Sequence, residues 1–176
     1  NPEILYFGTS RRDLFRSMDN GGSWEPIASE IHSASGYRAY PAGHPSEGGK
    51  VYFGMGSCGI IPLEDGEGGV YYSENYGDTW TPRNTGLTDL DIQALAIHPD
   101  GETMVAGTYN GKIFYSENGG LNWHEGDTLD YGVTRVYINP NQPKQAYAIT
   151  RQDLLGIAPD KKIYKTIDLI HWDEIT

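Results

Sequence analysis

Three observations predict an all-β fold of about four four-stranded units. They are a short box that occurs four times, apolar runs set at fixed places around it, and a composition rich in glycine and tyrosine. The boxes read FRSMDNGGSW (Phe15 to Trp24), YYSENYGDTW (Tyr71 to Trp80), FYSENGGLNW (Phe114 to Trp123) and a worn copy, YKTIDLIHW (Tyr164 to Trp172). Their hydroxyl residues, Ser17, Ser73, Ser116 and Thr166, lie 56, 43 and 50 residues apart. A repeat of roughly 40–50 residues made of short strands is the spacing of a β-propeller blade. A catalytic motif usually occurs once, so a string found four times is read as a construction unit.

Each unit resolves into four strands, A to D from the inside out. Strand A ends at a proline, as in YRAYPAGHP, IQALAIHP and VTRVYINP. Strand B holds a small residue, as in ILYFGT, VYFGMG, MVAGTY and AYAITR. Strand C runs into the box, and strand D starts near the box tryptophan, as in WTPRN and WHEGD. Segments that might turn helical, such as Arg11–Met18, are short and broken by the strand pattern. One domain is expected over 1–176, with blade units at about 1–30, 31–88, 89–129 and 130–176.

The first unit is expected to lack its inner strand. Pro143 precedes Ile149 by six residues, and Pro2 precedes Gly8 by the same interval, which puts Asn1-Pro2 in an A–B turn. The expectation is therefore a propeller arc whose open sheet edge must be covered, because exposed edges invite pairing. Either the chain is part of a longer propeller, or another copy or another chain supplies the missing neighbours.

Composition narrows the partners. The 176 residues carry a formal net charge of -11, which argues against nucleic acid or an anionic membrane surface as the main partner. No apolar run approaches the ~20 residues of a membrane span. Cys58 is the single cysteine, so no intrachain disulfide or cysteine-cluster metal site is expected. No Asn-x-Ser/Thr acceptor occurs. No cofactor and no metal are expected.

The box itself has a structural logic. Asp19, Asn75, Asn118 and Asp168 suit side-chain bonds to nearby backbone N–H groups. Gly21, Gly77 and Gly120 supply positive φ, and Trp24, Trp80, Trp123 and Trp172 can fold back between blades. In the fourth copy Thr166 replaces Ser and Ile170 stands for Gly, so that turn must be shaped differently or held by its neighbours. These strings resemble the Asp-box, or BNR, repeat of sialidases, xyloglucan-active hydrolases, sortilin-type receptors and many bacterial proteins of unassigned function. The resemblance covers essentially the whole chain. It implies a propeller with the boxes on the face opposite the usual ligand site, and a place outside the cell or in the periplasm.

Departures from the minimal unit mark the other face. From the small B-strand residue to the box hydroxyl the interval is nine residues in units one and three, but 19 in unit two (Gly54 to Ser73) and 17 in unit four (Ile149 to Thr166). Both insertions fall in B–C loops, and the D–A stretch from Ala28 to Gly36 is also long. The first insertion brings Cys58, Glu64, Asp65 and Glu67, which read as a Ca²⁺ loop, as a carboxylate catalyst, or more simply as a solvated acidic tip. The second brings Arg151 and Asp153, which can contact a ligand, while Leu154 and Leu155 can pack the loop onto its neighbour. Arg38, Tyr40, Asp91, Gln93 and Arg135 are placed near the channel mouth on the same face. There the arginines can clamp a carboxylate, or simply pair with Asp91 or satisfy strand ends. His44 and His98 recur before a proline at matching positions, which favours a turn role.

The leading functional expectation is a non-catalytic binding or assembly module that offers its long-loop face to a protein or glycan. Its binding residues would be Arg38, Tyr40, Glu64, Asp65, Gln93, Arg135, Arg151 and Asp153. No catalytic residue is assigned. The alternatives are part of a carbohydrate-active hydrolase, with glycoside hydrolysis as its chemistry, and a structural subunit of an extracellular assembly. A sialidase-like site would want an arginine triad, for which Arg38 and Arg135 offer two members. A xyloglucanase-like site would want two opposed carboxylates across a cleft between two propellers.

Overall fold

The structure, a computed structural model, describes residues 4–9, 14–31, 37–44, 46–57, 67–151 and 161–175. The first sheet runs β1 (Leu5–Gly8), β2 (Leu14–Ser17) and β3 (Glu25–Ile27). The second runs β4 (Tyr37–Gly43), β5 (Val51–Ser57), β6 (Gly69–Ser73) and β7 (Thr81–Pro82). The third comprises β8 (Ile92–Ile97), β9 (Met104–Thr108), β10 (Lys112–Ser116) and β11 (His124–Thr128). The fourth comprises β12 (Val133–Asn139), β13 (Gln142–Thr150), β14 (Ile163–Thr166) and β15 (Asp173–Ile175). Every pairing is antiparallel between strands adjacent in sequence, so each sheet is a meander. The one helical turn among the described residues is the 3-10 segment Ser29–Ile31. The first sheet has three strands among the described residues, as the offset of its proline predicts.

The sheets stack in chain order as an arc. Three apolar clusters mark the three contacts. Leu14 and Ile27 meet Phe53 and Met55 between sheets one and two. Tyr52 and Val70 meet Met104 and Trp123 between two and three. Val105 and Ile113 meet Ala146 and Trp172 between three and four. The inner strands β4, β8 and β12 follow one another along this stack. Covering both faces of a sheet removes the usual in–out alternation: β5 (VYFGMGS) and β9 (MVAGT) are buried at every residue, whereas β1 alternates. Pro41 is tolerated within β4 because the inner strand is a sheet edge and needs no donor on its free side.

Close stacking depends on three glycines at one repeated place. A Cβ on Gly8 would lie 2.9 Å from the carbonyl carbon of Ala39, one on Gly54 3.2 Å from Ile92 Cβ, and one on Gly107 2.6 Å from Val133 Cβ. Each glycine is a notch into which the next inner strand fits. The fourth sheet carries Ile149 at this position.

The boxes form C–D turns with one geometry. In the first three, the serine Oγ accepts the N–H of Gly21, Gly77 or Gly120 at 2.8–2.9 Å. The same hydroxyl donates to Asp19, Asn75 or Asn118 at 2.8–2.9 Å. That side-chain oxygen then accepts the N–H of Ser23, Thr79 or Asn122. The residue before each glycine also has positive φ: 59° at Asn20, 62° at Tyr76 and 63° at Gly119. The fourth turn is shaped differently, as its departures imply, but the cause is that it is one residue shorter rather than that Ile170 replaces the glycine. Leu169 (φ 70°) now donates to Thr166 Oγ1 at 2.9 Å, and no residue stands in the glycine's place. Asp168 compensates by accepting the N–H groups of Ile170 and His171, and by meeting His171 Nδ1 at 2.8 Å. His44 and His98 accept backbone N–H groups through Nδ1 in the A–B turns.

Candidate functional site

The side of the arc opposite the boxes carries the B–C connections. Two are short, 9–13 and 109–111, and two are long, 58–68 and 151–162. Glu64, Asp65, Asp153 and Cys58 lie outside the described residues, so the site is built here from the roots of the loops.

The first root is held by Asp91, just before β8. One carboxylate oxygen accepts the Ser57 N–H at 2.7 Å, and the other accepts the Ser57 hydroxyl at 2.6 Å. Gln93 Nε2 donates to the Ser57 carbonyl at 2.8 Å and to Asp91 Oδ1 at 2.7 Å. Gln93 Oε1 in turn accepts the Tyr40 hydroxyl at 2.9 Å. Asp91 and Gln93 thus grip the end of β5, and Tyr40 of the neighbouring inner strand steadies Gln93. The far end of the same loop is tied where Gly69 N–H donates to the Leu90 carbonyl at 2.7 Å.

The second root is held through Arg151. Its backbone N–H donates to Gly132 at 2.9 Å, and its guanidinium lies 3.3 Å from the centroid of the Tyr109 ring. Nη2 also donates to the Tyr109 carbonyl at 3.0 Å. Thr150 N–H donates to the Lys162 carbonyl, and Lys162 Nζ reaches Asp130 at 2.6 Å and Glu174 at 2.8 Å. These bonds raise the Lys162 pKa and hold Asp130 below the ordinary carboxylate range, the bond between the two being the largest cause in each case.

The structure therefore joins Tyr40 and Gln93 in one network and sets Arg151 apart as a stacked anchor. Arg38 occupies β4 opposite Gly56; its side chain lies outside the described residues. Arg135 is exposed and donates to the Thr134 carbonyl at 2.8 Å, on the fourth-sheet face that also carries Tyr137. Sequence reasoning weighed Asp91 as one possible partner for the arginines and gave Ser57 and Tyr109 no part. An acidic residue two positions before a buried glutamine, at the start of an inner strand, is the signal that would have pointed to the clamp.

Among the described residues no group of three His, Cys, Asp or Glu side chains could hold a metal ion. The carboxylates that flank the roots have internal partners: Asp89 accepts the Asp91 N–H and Asn110 Nδ2, and Asp130 accepts Lys162 and Tyr164. On the box side, a cavity of about 280 Å³ is lined by Tyr72, Ser73, Glu74, Thr79, Thr81 and Arg83. Arg83 there stacks 3.7 Å from the Tyr72 centroid and donates to Gly119, which makes it an inter-blade tie. No described helix is long and apolar enough to cross a membrane.

Solved structures carry the same arrangement of sheets. A GH74 enzyme from Niastella koreensis superposes with a TM-score of 0.76 at 15% identity, over 99% of this chain and 28% of that one. A GH74 xyloglucanase from Xanthomonas campestris does so with a TM-score of 0.69 at 20% identity, over 99% and 28%. An auxiliary nutrient binding protein from Bacteroides thetaiotaomicron gives 0.66 at 13% identity, over 99% and 39%. The chain thus spans well under half the length of these proteins. At such identities the likeness is one of fold, a propeller-type arc. No protein-family model and no curated protein sequence matches the chain.

Proposed function

We infer that this chain is a non-catalytic propeller module, one domain of four blade units, that presents the loops 58–68 and 151–162 to a protein or glycan partner. The observation that supports this most is the construction of the two loop roots. Each long connection leaves a strand end that is bonded to neighbouring blades, by Asp91 and Gln93 in one case and by Arg151 on Tyr109 in the other. Rigid strand ends holding long loops are the usual design of a recognition surface. The root carboxylates Asp91 and Asp130 are committed to holding the chain, which suits binding better than acid–base chemistry. Glu64, Asp65 and Asp153 on the loops, with Arg38 and Arg135, complete the proposed binding set.

A second reading, part of a carbohydrate-active hydrolase, draws on the likeness of fold to GH74 enzymes. The box-repeat resemblance supports a place outside the cell or in the periplasm for both. Calorimetric titration with xyloglucan oligosaccharides and with sialylated glycans, beside a reducing-sugar assay, separates the readings. Saturable binding without product, lost in the Glu64→Ala/Asp65→Ala variant, is the expected result. Release of reducing ends by the chain would overturn the non-catalytic reading.

A further inference from the structure

One cross-strand pair recurs in the outer hairpin of every sheet, next to the box turn. In the first sheet it is Arg16 with Glu25, an ion pair at 2.6 Å. In the third it is Tyr115 with His124, whose rings lie 5.4 Å apart. In the fourth it is Lys165 with Asp173. The second sheet alone puts a short side chain here, Thr81 opposite Tyr72. The cavity of about 280 Å³ on the box side opens at this place, beside Arg83, which reaches across to Gly119 of the third sheet.

The polar groups that line the cavity are only partly used. Tyr72 is 7% exposed, its ring packed by Tyr52 at 4.9 Å and by the Arg83 guanidinium at 3.7 Å. Its hydroxyl has no partner among the described residues, although a tyrosine so buried normally bonds its O–H. Arg83 commits Nη1 to the Gly119 carbonyl, and its Nε and Nη2 have no partner among the described residues. Thr79 Oγ1 accepts Asn75 Nδ2 at 2.9 Å and keeps its own O–H to give. Glu74 is exposed and unpaired among the described residues. Its counterpart in the third box, Glu117, pairs with Lys144 at 3.2 Å.

This set of groups selects the ligand. A guanidinium edge with two hydroxyl donors suits a carboxylate. Glu74 on the same wall repels a plain anion, and Arg83 repels a plain cation. A neutral polyol would leave both charges unmatched. A molecule that carries an ammonium group beside its carboxylate satisfies both.

We propose that this cavity is a binding site for a small α-amino acid. Its carboxylate meets Arg83, Thr79 and Tyr72, and its ammonium group meets Glu74. The site lies on the box side, so it stands or falls apart from recognition by the loops 58–68 and 151–162. Titration of the ¹⁵N-labelled chain with L-alanine should move the Thr81 and Gly119 amide signals saturably, with a dissociation constant on the order of 1 mM. Acetate and ethylammonium, each carrying one of the two charges, should bind about tenfold more weakly or worse. Glu74→Gln changes an exposed side chain that holds nothing in the fold. It should weaken L-alanine by about tenfold or more and acetate not at all. Thr81→Glu fills the cavity as Glu25 fills the same place in the first sheet, and should abolish binding. A silent titration up to roughly 20 mM overturns the proposal, as do shifts confined to the loop face. So does acetate binding as tightly as L-alanine, and so does a Glu74→Gln or Thr81→Glu chain that binds L-alanine like the parent.

Discussion

Replacing Gly107 with alanine tests the notch on which sheet stacking depends. The new Cβ would sit 2.6 Å from Val133 Cβ, whereas relaxed carbon–carbon contacts lie at ~3.5–4.0 Å. The position of Val133 Cβ is fixed by the β12 backbone, so no rotamer change relieves the collision. Strand β12 would have to retreat by about 1 Å to restore an ordinary contact. Overpacking of this kind costs ~1–3 kcal/mol, and moving a whole strand places it at the upper end. Alanine recovers ~0.5–1 kcal/mol because glycine is intrinsically poor in a strand. The net loss is about 2 kcal/mol. Gly43 in β4 is the control, since a Cβ there meets nothing within 4 Å. Gly43→Ala gains the strand term without the collision, which separates the two variants by about 3 kcal/mol. Urea unfolding followed by tryptophan fluorescence, at one protein concentration, measures the difference. A Gly107→Ala variant as stable as Gly43→Ala would refute the notch.

Other substitutions probe the staples and the loop roots. Trp123→Ala should cost ~3–5 kcal/mol, since the indole is buried and its Nε1 donates to the Arg83 carbonyl; a loss below ~1 kcal/mol in the same assay would contradict the packing. Ser73→Ala leaves the buried Gly77 N–H without its acceptor, for an expected loss of ~1–3 kcal/mol and faster amide exchange at Gly77. Asp91→Ala should keep the fold but speed amide exchange at Ser57, and unchanged protection there would remove Asp91 as the clamp. The acid limb of stability should follow the box aspartates. Asp19 is lowered to about 2, chiefly by the Ser23 backbone N–H, and Asp168 is lowered chiefly by His171. Depressed carboxylates stabilise above their unfolded value of 3.8, and that stability is lost as pH falls toward 2. Asp19→Asn, the residue of two other boxes, should flatten the slope between pH 4 and 2 without unfolding the chain. His171 is raised by Asp168, so its contribution is complete below pH 6.5 and fades as pH climbs through the raised value.

The parts legible in the sequence are those made of bonds between near neighbours. The turn that joins Ser17 to Asp19 and Gly21 spans four residues, so its spacing survives in the string itself. The proline offset agrees with the three strands that the first sheet shows among the described residues. The fourth box misled because substitution and deletion look alike in a short alignment: Ile170 was set against glycine, while the turn had lost a residue and let Leu169 take the hydroxyl. Ties between blades were hidden. Arg16 reaches Tyr76 and Asp78 across about sixty residues, and nothing near Arg16 in the chain names them. Asp91 was weighed by charge as one possible partner for the arginines. Its bonds to Ser57 depend on the approach of β8 to the end of β5, which nothing near Asp91 in the chain announces. Arg135 follows a register shift in β12 and bonds its neighbour's carbonyl at Thr134, a local contact that strand alignment does not announce.

The self-contained box turn has a consequence for how the chain folds and comes apart. Each C–D hairpin closes a short loop and satisfies its own turn, so it can form early at small entropic cost. Docking one hairpin pair on the next then requires closing only a repeat length of chain, never the whole of it. Such an array behaves as a row of coupled units, each steadied by those beside it. The second and third sheets are packed on both faces within this chain. The Met104–Thr108 strand, buried at every residue, should therefore be among the last to surrender its amide protons.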